Sequence, residues 1–234
     1  MKNNNHNRYI ISLGGSLIVP DEINVGFLKK FKQLIEKFSR ENYQFLIITG
    51  GGKTSRRYSS AAKALGELNH GDLDWLGIHA TRLNAHLVRT ILSKLARPRI
   101  ITNPNNVEEL KNHHHKVIVA AGYQPGWSTD YVAVLLAREY GIKKILNLSN
   151  IDYVYDKDPK KHQRAKKIEQ ISWKDFRKIV GHKWDPGLNM PFDPVAAKLA
   201  EKLGLQVVIM NGQNFKNLEN FLSAKKFKGT LIAD

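Results

Sequence analysis

Apolar residues along this chain fall into two recurring patterns. Short apolar runs occupy residues 9–13, 45–49, 117–120, 144–148 and 206–210, and each ends close to a glycine or an asparagine. Mostly apolar runs of this length, without strict polar alternation, predict strands buried on both faces, as in a parallel sheet. Residues 99–101 offer one more candidate strand. Between the runs lie longer stretches with helical spacing. Phe27, Phe31, Leu34, Ile35 and Phe38 make one stripe, and Leu83, Leu87, Ile91 and Leu95 a second. Val132, Leu135, Leu136 and Tyr140 make a third, with Gly141 placed as a C-terminal cap. Val195, Leu199 and Leu203 make a fourth, followed by Gly204.

Strand and helix alternate, which predicts an α/β fold: a mainly parallel central sheet sandwiched by helices in three layers, α/β/α. No flexible or proline-rich linker and no repeat interrupts the pattern, so residues 1–234 read as a single domain. Residues 151–167 are charged, contain Asp158-Pro159, and read as a hairpin-like excursion from the sheet.

Composition narrows the class. At 234 residues with 42% hydrophobic and 25% charged residues, the chain resembles an ordinary globular protein. No apolar run approaches the roughly 20 residues of a membrane-spanning helix. The Asn-rich residues 1–8 lack the apolar segment of a secretory signal and read as a frayed terminus. There is no cysteine, which excludes disulfides, thiolate metal sites and a Cys nucleophile, and fits a cytoplasmic location. The net charge of +16 attracts polyanions. The basic residues are scattered and no nucleic-acid-binding signature occurs, so the charge reads as the surface of an enzyme that handles phosphates. His113, His114 and His115 form a run in a polar stretch, read as a solvated loop rather than a metal site.

The chemistry lies where the strands end, since ligands of open α/β sheets bind outside the carboxyl ends of the strands. Gly14-Gly15-Ser16 follows the first strand. Gly50-Gly51-Gly52-Lys53 follows the second and opens a helix carrying Arg56 and Arg57. The segment from Gly122 through Thr129 to Asp130 follows the next strand and also opens a helix. Ser149-Asn150-Ile151-Asp152 follows another. Glycine lets backbone N–H groups approach a phosphate, and a helix start adds free N–H groups and a positive dipole end. Lys53 adds a point charge and Arg56 a forked donor. The P-loop spacing is absent, because Ile47 stands where its first glycine belongs. Gly14-Gly15-Ser16 does not extend to the dinucleotide fingerprint.

At these residues the chain resembles the amino-acid-kinase superfamily, and within it the archaeal-type UMP kinases. Six segments carry the resemblance, in order, over nearly the whole chain. They are Gly14-Gly15-Ser16; the triple glycine with Lys53; Thr81-Arg82-Leu83-Asn84-Ala85; Pro125-Gly126-Trp127-Ser128-Thr129-Asp130; Ser149-Asn150-Ile151-Asp152-Tyr153-Val154-Tyr155 with Asp158-Pro159; and Asp193-Pro194-Val195-Ala196-Ala197-Lys198. The resemblance implies transfer of the ATP γ-phosphoryl group to UMP, with Mg2+ held through the ATP phosphates. It implies an acceptor-binding lobe over residues 1–142 and an ATP-binding lobe over 143–234. It also implies a homo-oligomer, a hexamer built as a trimer of dimers. Gly15, Ser16, Gly52, Arg56, Ser149, Tyr155 and Asp158 would bind ATP. Gly51, Asp74, Tyr123, Gln124, Pro125, Gly126, Trp127, Ser128 and Thr129 would bind UMP. Lys53 would neutralise charge in the transition state, and Asp152 would organise the cationic groups.

The residues alone leave alternatives. Asp74 also reads as an exposed acid, Ser128 or Thr129 as a plain N-cap, Asp130 as a dipole-favoured helix acid, and Arg82 as a surface or subunit contact. The chain also departs from the family pattern. Ser12 stands where many members carry a lysine, Tyr153 where a glycine is usual, and Ala121-Gly122-Tyr123 where Gly-Gly-Thr is common. Trp127 and the 184–190 segment are unusual too. A kinase for another phosphate, carboxylate or carbamate acceptor therefore stays open, as does a non-catalytic nucleotide- or oxyanion-binding protein on the same fold.

Overall fold

The computed structural model describes residues 7–106, 115–159, 161–182 and 190–234. His113, His114, Lys160 and most of the unusual 184–190 segment lie outside the described residues. Strands β1 (Arg8–Leu13), β2 (Gln44–Thr49), β3 (Val117–Ala120), β4 (Lys144–Ser149) and β8 (Gln206–Asn211) form the five expected parallel strands, in the order β3-β2-β1-β4-β8. Two short strands extend the sheet beyond β8. β9 (Thr230–Ile232) pairs antiparallel to β8, and β7 (Gln170–Ile171) pairs parallel to β9. The stretch around 99–101 contributes only an isolated bridge, Ile101 to Ala120. The excursion after β4 is a hairpin in which β5 (Val154–Tyr155) pairs antiparallel with β6 (Lys167–Ile168).

The strands are apolar on both faces because both faces are covered. Ile11, Leu13, Phe45 and Ile47 point into one core; Ile10, Leu46 and Ile48 point into the other, as a two-residue period requires. Helices α2 (Val25–Arg40), α4 (His70–Ile91) and α8 (Phe215–Leu222) cover the first face. Helices α5 (Thr129–Tyr140), α6 (Trp173–Val180) and α7 (Pro194–Lys202) cover the second, around Trp173, Phe176 and Phe192. A single turn, α1 (Gly15–Ile18), and α3 (Gly52–Leu65) sit directly after β1 and β2.

Local chemistry sets the helix ends. Asn24, Asn69, Ser128, Ser172, Asp193 and Asn214 each accept a hydrogen bond from a first-turn N–H, satisfying donors that the helix itself leaves free. Gly141 closes α5 at φ 62°, as its position past the apolar stripe predicts.

Two stripes pack as expected through Leu87, Ile91 and Leu95 and through Leu199 and Leu203, but each differs at its first residue. In α4 the buried positions are Ile78, Ala80, Thr81, Asn84, Ala85 and Val88, whereas Leu83 is 64% exposed. In α7 the buried side is Ala196, Ala197 and Ala200, and Val195 faces outward. Small residues are buried there because the helix packs closely against its neighbours. In α4 polar residues are buried because they hold loops.

The chain runs β1, β2, β3 to one side and then returns to place β4 on the other side of β1. The carboxyl ends of β1 and β4 therefore flank a switch point, where an open α/β sheet forms its ligand crevice.

Candidate active site

Two glycine loops meet at this edge, backbone against backbone. Gly14 N–H donates to the Leu148 carbonyl (2.8 Å) and Gly50 N–H to the Leu13 carbonyl (2.9 Å), so each loop is pinned to a neighbouring strand end. A Cβ on Gly15 would overlap the backbone nitrogen of Gly52 and lie 2.6 Å from the carbonyl carbon of Gly50. Gly52 opens α3 at φ +63°, in the left-handed region. Glycine is thus required at 15 and 52 by close approach and by dihedral.

Helix α3 starts on this loop. Lys53 sits in its first turn, its N–H bonded to the Val19 carbonyl (2.9 Å) and its ammonium 4.0 Å from Asp21. Arg57 pairs with the same Asp21 at 2.8 Å, and Arg56 is exposed one position before it. Ser16 lies half-buried in α1. The start of α3 thus brings three cations, Lys53, Arg56 and Arg57, to one loop.

The loop of residues 122–129, after β3, forms the opposite side. Pro125 and Gly126 have the sequence and, at Gly126, the φ of +81° of a type II turn. Ser128 caps α5 by accepting from Tyr131 N–H (3.0 Å), and Thr129 is the first helical residue. Tyr123, Trp127 and Tyr131 form an edge-to-face ladder, with centroids 5.3 and 5.0 Å apart. Gln124 lies half-buried in the same loop.

Helix α4 ties the two sides together. Asn84 Nδ2 donates to the carbonyls of Gly50 (2.8 Å) and Gly51 (3.3 Å). Thr49 Oγ1 donates to the Thr81 carbonyl (2.9 Å), and Thr81 Oγ1 accepts from Gly122 N–H (2.8 Å). Asp74 Oδ2 accepts from Gly126 N–H at 2.7 Å. Thr81 and Asn84 thus hold backbone, a task that their residue types alone do not announce. The signal was present as polar residues three apart within a helical stripe.

Beneath the crevice lies Asp130. Its Oδ1 accepts from Ser12 Oγ (2.9 Å) and Asn147 Nδ2 (3.2 Å), and its Oδ2 from the Asp193 N–H (3.2 Å). Burial of the carboxyl, reinforced by the Asp193 charge and opposed by these hydrogen bonds, pushes its pKa up to about 6. Ser12 is thus a ligand of Asp130, at the position where many family members carry lysine.

The raised value has a sign. An unfolded aspartate titrates near 4. Between about pH 4 and 6 the folded state holds a proton that the unfolded state has lost, so this group's contribution to stability declines as pH rises through that window. Two units correspond to about 3 kcal/mol at most. Asp130→Asn is therefore expected to gain on wild type between pH 4 and pH 8 in denaturant midpoints of the ligand-free protein. Parallel pH profiles would contradict the assignment.

Ser149, Tyr155 and Asp158 lie along β4 and the hairpin. Ser149 ends β4, half-buried, with its carbonyl accepting from Gly212 N–H (2.9 Å). Tyr155 lies on β5, and the carbonyl of exposed Asp158 accepts from Lys161 and His162 N–H. Tyr153 carries the Lys167 ammonium over its ring, 4.9 Å from the centroid. Asp152 is exposed after β4.

The amino acid kinase family model matches residues 7–211, and the chain belongs to the amino acid kinase family. Within that class, similarity concentrates on one activity. The chain is 35% identical over 225 residues to a uridylate kinase of Methanospirillum hungatei, covering 95% of this chain and 93% of the relative. It is 35% identical over 230 residues to a uridylate kinase of Thermoplasma volcanium, covering 96% and 97%. The crystal structure of uridylate kinase from Archaeoglobus fulgidus superposes with a TM-score of 0.82 at 31% identity, covering 96% of this chain and 99% of that one.

Proposed function

We propose that this chain is a UMP kinase, transferring the γ-phosphoryl group of ATP to UMP to give ADP and UDP. The observation that carries the proposal is the pairing of two anion-suited loops on one helix: α4 holds the triple glycine through Asn84 and the acceptor loop through Thr81 and Asp74. The uridylate kinase relatives supply the nature of the two substrates.

In this reading residues 1–142 form the acceptor-binding lobe and residues 143–234 the ATP-binding lobe, with the ATP phosphates reaching across to the glycine loops of the first. Gly15, Ser16, Gly52 and Arg56 hold the ATP phosphates; Ser149, Tyr155 and Asp158 hold its nucleoside side. Gly51, Asp74 and the loop from Tyr123 to Thr129 hold UMP, with the acceptor phosphate at the start of α5. The UMP phosphate oxygen is already ionised and attacks the γ-phosphorus in line, so no general base is needed. The chain's share is alignment and charge: the glycine amides, the α3 dipole, Lys53 and Arg56 face the charge spreading over the transferred group.

Mg2+, held through the ATP phosphates beside Lys53 and Arg56, would supply further neutralisation of the phosphate charge. Among the described residues no group of three or more His, Asp and Glu side chains converges on one point.

ADP release measured with UMP, CMP, AMP, acetate and carbamate as acceptors tests the proposal. UMP should be preferred, and turnover with a different acceptor alone would replace it. The Tyr123–Trp127–Tyr131 ladder is the observation favouring a second reading, a different acceptor, because it narrows the loop.

We also propose a cytoplasmic homo-oligomer, a hexamer built as a trimer of dimers, with no specific nucleic-acid partner. No described helix is long and apolar enough to cross a membrane. Helix α3 contributes no buried residue, and Tyr58, Leu65, Leu68, Trp75 and Leu83 on or between α3 and α4 are exposed. Apolar surface gathered on one helix pair marks an interaction site. Light scattering at micromolar concentration is expected to give six chains; a monomer would contradict this.

A further inference from the structure

We propose that Arg82 is a positioning residue for the acceptor loop, a task that rests on the UMP kinase reading of that loop. Its guanidinium donates from Nη2 to the Tyr123 carbonyl (3.1 Å) and, over a longer bond from Nε, to the Gly122 carbonyl (3.4 Å). The same guanidinium lies 5.9 Å from the ring centre of Trp75, about two turns earlier on α4. The residue is half-buried.

The spacing on α4 makes this a clamp. Asp74, Thr81 and Arg82 are seven and eight residues apart, so they share one helix stripe and span about 12 Å along it. Asp74 grips the loop at Gly126 N–H and Thr81 at Gly122 N–H. Arg82 grips the two carbonyls between them. Donor and acceptor requirements of the loop backbone are thus met from one rigid element.

The chemistry calls for arginine. A guanidinium offers five donors in a fixed planar fork and reaches two successive carbonyls at once, whereas an ammonium acts as a point charge on a flexible stem. A carbonyl bonded to a guanidinium is also no longer free to face an incoming anion. Arg82 therefore fixes the loop with its negative groups engaged, leaving Ser128, Thr129 and the α5 amides to meet the acceptor phosphate. Arg82 itself does not touch the reacting atoms.

Steady-state kinetics of Arg82→Ala and Arg82→Lys test this. For Arg82→Ala the KM for UMP should rise about tenfold to a hundredfold, the range expected when charged hydrogen bonds are lost, while the KM for ATP stays within about twofold. Arg82→Lys should fall between the two, and added methylguanidinium should restore the Arg82→Ala variant in part. Equal rises in both KM values, an unchanged KM for UMP, or a lowered melting temperature with uniform loss of activity would each overturn the proposal. If the wild-type protein does not phosphorylate UMP, the UMP reading fails and the clamp is read instead by hydrogen exchange. Faster exchange at amides 122–127 in Arg82→Ala, with α5 unchanged, supports it; unchanged exchange overturns it.

Discussion

Replacing Gly15 with alanine is expected to reduce kcat/KM at least about a hundredfold, the scale on which an ångström of misplacement at a phosphate site acts. The added Cβ meets backbone on every side: the nitrogen of Gly52 and the carbonyl of Gly50, whose oxygen is 2.7 Å away. No side chain there can swing aside. The loops must separate, which moves the α3 start and the amides around it. The overpacking should also cost about 1–3 kcal/mol of stability. Gly66 is the control. A Cβ there meets nothing within 4 Å and the backbone is extended, so Gly66→Ala should leave activity unchanged. Equal, mild effects at both positions, read by steady-state kinetics, would contradict the account of the loop contact.

Lys53→Met is expected to lower turnover by roughly tenfold to a thousandfold, the range for losing one preorganised charged stabiliser. The substitution nearly keeps the side-chain volume. Its cost in stability should be small, because the Lys53–Asp21 pair is 4.0 Å long and largely exposed on both sides, and such pairs contribute little. Stability and catalysis therefore separate in this variant. Unchanged turnover would shift the charge role to Arg56, which shares the start of α3.

The central sheet was legible because its strands are apolar on both faces, a pattern that few other structures require. The edge was not. β7 and β9 have two and three residues and offer too short a run for any period to show. One position of the second stripe was misread for a physical reason: Leu87, Ile91 and Leu95 pack against the core, but Leu83 lies on the exposed side of α4, while Thr81 and Asn84 are turned inward to hold loops. A rule that buries apolar residues fails where buried polar groups have backbone partners. The glycine loops were visible as sequence, but their contact was not, since Gly15 and Gly52 meet only because β1 and β2 are parallel neighbours.

Asp130 shows the limit most clearly. From sequence it is a first-turn acid beside Ser128, favoured by the helix dipole. Its bonding partners Ser12, Asn147 and Asp193 lie 118, 17 and 63 residues away along the chain. Only the return of the chain across β1 brings them to one carboxyl. The departure at Ser12, visible beforehand as a missing lysine, becomes intelligible as a hydroxyl that donates to this acid.

The central claim is transfer from one phosphate to another at the carboxyl edge of β1, β2 and β4. Phosphorus NMR of the protein with ATP, Mg2+ and UMP tests it most directly. The account predicts loss of the γ-phosphate signal of ATP, loss of the UMP monophosphate signal, and growth of the two phosphate signals of UDP in equal amount. Release of inorganic phosphate with UMP unchanged, or an unaltered spectrum, would contradict it.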